Sequence, residues 1–274
     1  MMRTRRHALG QNFLHHKPTI EKIVATVAAE MKTAERAPCS LLEIGPGKLA
    51  LTRVLSPLAS ELKLPFYLVE RDRYLEEEIR AGAPDTELHF MDAATELLPE
   101  LIDSMRKKTL TPLFVASNLP YSASSQILAN LCHCSNDLSG AVVMVQKELA
   151  QRMAAPAGEP ERGALSLLIQ SYFEVHVAFD VGPGAFTPPP KVQSTVLKLR
   201  PLALPLTQGL REPLKFEHFC KMLFSHRRKM IRNMVPNEKH ELFPKLGISG
   251  TERPETLKLE TVLGLYRGIS GEGI

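Results

Sequence analysis

The sequence predicts an α/β protein, a mostly parallel seven-stranded sheet followed by a small C-terminal helical domain. Three observations lead there. Short apolar runs rich in branched and aromatic residues alternate with longer helical patterns from about Leu41 onward. Two further runs follow with no helix fitting between them. Beyond a proline-containing stretch, the periodicity becomes helical and the charge balance becomes positive.

Taken in order, runs 41–44, 66–69, 88–91, 113–116 and 141–145 are spaced for parallel strands with crossover helices. Runs 173–181 and 194–199 are separated by Gly182-Pro183-Gly184 and Pro188-Pro189-Pro190. A loop must join them, so the sheet is expected to end in an antiparallel pair, unlike a plain dinucleotide-binding fold. Segment 201–213 contains prolines and little periodicity, which places a boundary near residue 205 and gives domains 1–204 and 205–274. In the second domain Phe216, Phe219, Cys220, Leu223, Met230, Ile231 and Met234 fall at helical spacings, with Lys221, Arg228 and Arg232 on another face. Arg227 interrupts that apolar stripe.

With 274 residues and 44 % hydrophobic content, the chain can fill a core for a large and a smaller domain. No stretch approaches the roughly 20 apolar residues of a membrane span, and Arg3-Thr4-Arg5-Arg6 is not followed by the apolar run of a signal peptide. A cytoplasmic protein without membrane contact is expected. Cys39, Cys132, Cys134 and Cys220 lack the spacing of a disulfide framework or zinc site. Helix packing explains Cys132-His133-Cys134 better than a metal, and no metal site is expected. The net charge of +4 sits entirely in residues 201–274, with twelve Lys and Arg against eight Asp and Glu. A basic module beside a neutral one suits a polyanionic partner.

Glu43-Ile44-Gly45-Pro46-Gly47-Lys48-Leu49-Ala50 follows the first strand as a G-x-G-x-x-A pattern. Its glycines let the backbone approach a ligand, and a helix opening there offers amides to an anion. Glu70, ending the second strand, can accept hydrogen bonds from both hydroxyls of a ribose. These features fit NAD and S-adenosyl-L-methionine equally. Asp92, after the third strand, can accept from a cofactor's adenine amine or simply cap a helix.

Asn118-Leu119-Pro120-Tyr121, after the fourth strand, breaks the tie. Strand ends of a parallel sheet converge on one crevice, and an Asn with an aromatic at its mouth suits the amine of an adenine. That amine is a poor nucleophile because its lone pair is delocalised into the ring. The Asn118 side-chain carbonyl and the Leu119 or Pro120 main-chain carbonyl can accept its two N–H bonds and aim the lone pair at a sulfonium methyl. Positioning then does the work of a strong base. Tyr121 can stack on the base, an interaction worth roughly 1–3 kcal/mol. Phe186, before the stiff Pro188-Pro189-Pro190 segment, can cover the other face, although taken alone it reads equally as core.

These segments resemble those of the ribosomal RNA small-subunit adenine dimethyltransferases. The likeness runs through Gly10-Gln11-Asn12-Phe13-Leu14, Glu43 to Gly47, Asn118 to Tyr121, Val145-Gln146-Lys147-Glu148, Phe186-Thr187-Pro188-Pro189-Pro190-Lys191-Val192 and His226-Arg227-Arg228-Lys229. The resemblance implies a Rossmann-like class I methyltransferase domain followed by a small helical RNA-binding domain. It implies S-adenosyl-L-methionine as cofactor and dimethylation of two adjacent adenosines in the hairpin near the 3′ end of small-subunit ribosomal RNA. The expected partner is that RNA within a precursor 30S subunit, bound by a monomer with a role in small-subunit biogenesis. By matching positions, Gln11, Asn12, Leu14, Gly45, Gly47, Glu70, Asp92 and Asn118 form the cofactor site. Asn118, Pro120, Tyr121 and Phe186 form the catalytic site, and Arg227, Arg228, Lys229 and Arg232 meet RNA. Many members carry a further glycine where this chain has Leu49.

Overall fold

The computed structural model describes residues 12–34 and 39–273. A short β1 (Phe13–Leu14) precedes the main strands, β2 (Ser40–Ile44), β3 (Phe66–Glu70), β4 (Glu87–Phe90), β5 (Leu113–Asn118), β6 (Leu138–Gln146) and β7 (Phe173–Val181). Then come β8 (Phe186–Thr187) and β9 (Ser194–Pro201). The seven-stranded sheet has the order β4-β3-β2-β5-β6-β9-β7. From β4 to β6 every pairing is parallel, and β9 runs antiparallel to β6. The last strand in sequence is therefore inserted between β6 and β7, which keeps the expected loop-joined strands adjacent and puts β7 at the edge.

All five residues of β2 and five of six in β5 are buried, as strands covered on both faces must be. From β2 the chain steps outward to β3 and β4, then returns to β5 and steps the other way. That reversal opens a crevice at the carboxyl ends of β2 and β5, where Gly45 and Asn118 lie. Helix Lys17–Thr33 buries Ile20, Ile23, Val24, Val27 and Met31, a stripe of helical period. Its Glu30 receives two bonds from the Arg200 guanidinium on β9, at 2.8 and 3.0 Å. That pairing holds the Glu30 carboxyl below its ordinary range.

The chain forms two units, one of Met1–Ala150 with Glu174–Pro201 and another of Gln151–Phe173 with Leu202–Ile274. Proline content places a division near residue 205, but no feature of the sequence signals that 151–173 joins the second unit. The reason is packing: Leu167, on helix Ala164–Gln170, is fully buried among Phe216, Cys220, Leu223 and Val262. Helices Pro213–Ser225 and Leu259–Ser270 supply most of that core.

The apolar stripe read across 216–234 is corrected in its second half. Helix Pro213–Ser225 buries Phe216, Phe219, Cys220 and Leu223 and then stops. Met230 is 43 % exposed, whereas Ile231 is buried at the start of a separate 3-10 turn. Arg227 interrupts nothing, because it lies in the turn beyond the helix, where the Lys229 N–H bonds to the His226 carbonyl at 2.8 Å. All four cysteines are buried and unbridged. Among the described residues, no helix is long and apolar enough to cross a membrane.

Candidate active site

The glycine loop leaves β2 after Ile44, and Gly45 (φ 72°) and Gly47 (φ 53°) both adopt left-handed backbone. A Cβ on Gly47 would lie 3.4 Å from Phe13 Cε1, so a side chain there would be strained and crowded. Contrary to expectation, the loop does not open directly into a helix. Turns occupy 47–51 before helix Thr52–Glu61. The anion that meets the loop is the protein's own Glu70, whose Oε2 accepts the Gly47 N–H at 3.2 Å. Its Oε1 accepts from the Arg71 and Asp72 N–H groups at 2.8 and 2.9 Å. Three main-chain donors thus fix this 6 %-exposed carboxylate at the end of β3.

Asp92 follows β4 and lines the cleft, but it caps no helix, since helix Leu97–Thr109 begins only after Glu96. Its Oδ1 accepts the Ala94 N–H at 3.0 Å within the turn, and its Oδ2 accepts from the Arg71 guanidinium at 2.9 Å. The turn is held from behind by the Asn130 amide, which donates to the Ala93 and Thr95 carbonyls at 3.0 and 2.6 Å.

Asn118 ends β5, pinned between two neighbours. The preceding Ser117 hydroxyl donates to the Ile44 carbonyl of β2 at 2.5 Å, and the following Leu119 N–H donates to the Met144 carbonyl of β6 at 3.1 Å. In this rigid setting the Asn118 Oδ1 is buried without a hydrogen-bond partner. The Pro120 carbonyl already accepts the Ser124 hydroxyl at 2.8 Å and the Ala123 N–H at 3.0 Å.

One cleft is lined by Asn12, Leu14, Gly45, Gly47, Glu70, Asp92, Asn118, Pro120 and Tyr121. The structure thus brings together residues read from separate segments of the sequence. Gln11 lies outside the described residues. Phe186 is corrected: it is 2 % exposed within the apolar core, pairs through its backbone with Leu14 of β1, and does not line the cleft.

Sequence reasoning passes over Glu43, which also lines the cleft. It is 2 % exposed, and its Oε2 has no hydrogen-bond partner. Burial pushes its carboxyl up to about 8, with the charge of Glu70 adding to the rise against a pull from the nearby Thr52 hydroxyl. The available signal is an acidic residue inside the apolar run Leu41-Leu42-Glu43-Ile44.

In the second unit, residues 226–229 form an exposed turn, and Arg232 is exposed beside it. Arg227 donates to the Pro160 carbonyl and lies over the Phe224 ring, which commits part of its donor set to the protein itself.

A seven-stranded sheet in this order, with a ligand cleft over its switch point edged by Glu70, Asp92 and Asn118, defines a class I S-adenosylmethionine-dependent methyltransferase. Its fold matches that of a dimethyladenosine transferase from Plasmodium falciparum with a TM-score of 0.71, at 22 % identity over 91 % of this chain and 97 % of the other. It also matches 23S rRNA methyltransferase ErmE with a TM-score of 0.63, at 24 % identity over 94 % of this chain and all of the other. The particular family follows from the sequence comparison: the chain belongs to the ribosomal RNA adenine dimethylase family, whose description matches residues 2–269. Proteins named ribosomal RNA small subunit methyltransferase A are similar along nearly the whole length. The one from Geobacter sulfurreducens is 36 % identical over 98 % of this chain and 96 % of its own. The one from Aeromonas hydrophila is 34 % identical over 95 % of this chain and 92 % of its own.

Proposed function

We propose that this protein transfers methyl groups from S-adenosyl-L-methionine to the exocyclic N6 amines of two adjacent adenosines in the 3′-terminal hairpin of small-subunit (16S) ribosomal RNA. It acts as a cytoplasmic monomer on a precursor 30S subunit. The observation that carries this reading is the buried, unpartnered Asn118 Oδ1 at the end of β5. An acceptor left unpaired away from water costs about 1–3 kcal/mol, so its retention calls for a donor that arrives with a ligand.

The residues present fit the cofactor. Glu70, its carboxylate aimed by three main-chain N–H groups, would take the ribose hydroxyls, and Asp92 would take the adenine amine. Gly45 and Gly47 would allow close approach, while Asn12 and Leu14 would wall the site. When bound, S-adenosylmethionine supplies an electrophilic methyl on a sulfonium.

At the target end, the Asn118 Oδ1 accepts one N–H of the adenine amine. The Pro120 carbonyl is engaged with Ser124 and Ala123, so the Leu119 carbonyl is the main-chain acceptor for the other N–H. Two acceptors on two N–H bonds draw the nitrogen toward tetrahedral geometry and localise its lone pair. Tyr121 stacks on the base. The methylated amine is then acidic enough to release its surplus proton to water, and a second passage converts monomethyl to dimethyl product. Arg228, Lys229 and Arg232, with the remaining donors of Arg227, neutralise phosphates of the RNA.

The test is to incubate the protein with labelled cofactor and undermethylated small subunits and map the product. Label confined to two adjacent adenosines of the 3′-terminal hairpin is expected. Label elsewhere in the ribosome, or stabilisation by NAD with none by S-adenosylmethionine or S-adenosylhomocysteine, would overturn the assignment.

A further inference from the structure

Tyr121 lines the cleft, and its hydroxyl is bonded to a residue that does not. The Tyr121 Oη shares a hydrogen bond of 2.5 Å with the Oγ of Ser194, a residue with no exposed surface. A tyrosine ring turns about a broad sp³–sp² torsion, so a residue at the rim of a cleft is poorly oriented unless its far end is held.

Ser194 is itself held on both sides. It opens β9 opposite Gln146 of β6, and the adjoining Lys147 N–H donates to the Gln193 carbonyl at 2.9 Å. The Lys147 ammonium donates to Gln193 Oε1 at 3.1 Å and to Asp180 Oδ2 of β7 at 2.6 Å. The other oxygen of Asp180 receives the Thr195 hydroxyl at 2.6 Å. Gln193 and Thr195, the two chain neighbours of Ser194, are thus clasped to β6 and β7.

From this arrangement we infer that Ser194 is a positioning residue for methyl transfer: its buried hydroxyl, fixed by the Lys147, Asp180 and Thr195 clasp, sets the angle of the Tyr121 ring against which the target adenine stacks. The inference rests on the adenine-methylating reading given above. It assigns Tyr121 a role through its ring face, with the hydroxyl serving as a tether and taking no part in proton transfer.

Single-turnover methylation of undermethylated small subunits at saturating cofactor tests this with Ser194→Ala, Tyr121→Phe and the double variant. S-adenosylhomocysteine affinity and Tm are followed in parallel. Each single substitution is expected to slow transfer about three- to tenfold, the loss of one net hydrogen bond of positioning. The double variant should be no slower than the slower single, because both remove the same bond. Cofactor affinity should stay within about twofold, whereas a merely structural role would lower it together with Tm. A hairpin carrying 2-aminopurine at the target position should show weaker stacking quench with either variant.

A wild-type rate in Ser194→Ala, additive losses, or a far larger loss in Tyr121→Phe than in Ser194→Ala would each overturn the inference. Absence of any transfer by the wild-type protein would instead overturn the functional reading beneath it.

Discussion

The two ends of the cleft treat their acceptors in opposite ways. Glu70 is a carboxylate with three main-chain donors already in place, whereas the Asn118 Oδ1 is buried with none. The first is organised before any ligand arrives, which suits a cofactor held the same way in every cycle. The second is left unsatisfied, which suits a group whose hydrogen bonds matter only when the reacting amine is present. Interactions reserved for the reacting state raise turnover, whereas interactions made earlier raise affinity.

This contrast can be broken at either end. Asn118→Ala should lower the single-turnover rate by about 10²- to 10³-fold with RNA affinity little changed, since a preorganised hydrogen-bonding group is removed. Near-normal turnover would remove Asn118 from the chemistry. Glu70→Ala should weaken S-adenosylhomocysteine binding about ten- to a hundredfold by calorimetry, because charge-assisted bonds disappear and three donors are stranded. If it lowered only turnover, the division between the two ends would fail. Replacing Arg227, Arg228 and Lys229 with Ala should flatten the salt dependence of RNA binding. The log–log slope should fall by about one for each phosphate no longer neutralised, and by less for Arg227, which is tied to Pro160. An unchanged slope would take this turn out of the interface.

A different kind of effect, on stability and not on binding or turnover, concerns Glu43. Its folded-state carboxyl, raised from 4.5 to about 8 chiefly by burial, keeps a proton that the unfolded chain releases. Stability contributed by this group is therefore complete below about pH 4.5 and is lost as pH rises toward about 8. Tm measured across that window should fall less steeply in Glu43→Gln than in the wild type. Identical pH profiles would place the ionised form in the folded protein.

The residues legible in the sequence are those whose chemistry and position are both local. Gly45, Gly47, Glu70, Asp92 and Asn118 each stand at or just beyond the end of a strand, and strand ends converge in a parallel sheet whatever the rest of the chain does. Phe186 is not legible in this way, because its burial depends on packing with distant segments, including Leu14 and Val196. The end of helix Pro213–Ser225 is hidden too, since apolar spacing resumes by chance at Met230.

Leu49 is instructive for a different reason. The sequence has no glycine at this position, and the structure shows why one would suit: φ is 64° there. Left-handed backbone costs an ordinary residue about 1–2 kcal/mol. The Leu49 side chain is fully buried, and its Cδ1 would lie 2.3 Å from a Cβ on Gly82. Burying a leucine contributes about 1.5–3 kcal/mol, enough to offset the strain, and Gly82, lacking a Cβ, leaves the room that the Leu49 side chain fills.

The most direct measurement is a crystal structure of the protein with S-adenosylhomocysteine and the adenosine-bearing hairpin. The target amine nitrogen is expected within hydrogen-bond range, about 2.7–3.2 Å, of both Asn118 Oδ1 and the Leu119 carbonyl, facing the sulfur. An amine seated well away from residues 118–121, with Asn118 Oδ1 satisfied by the cofactor or by water, would contradict the account.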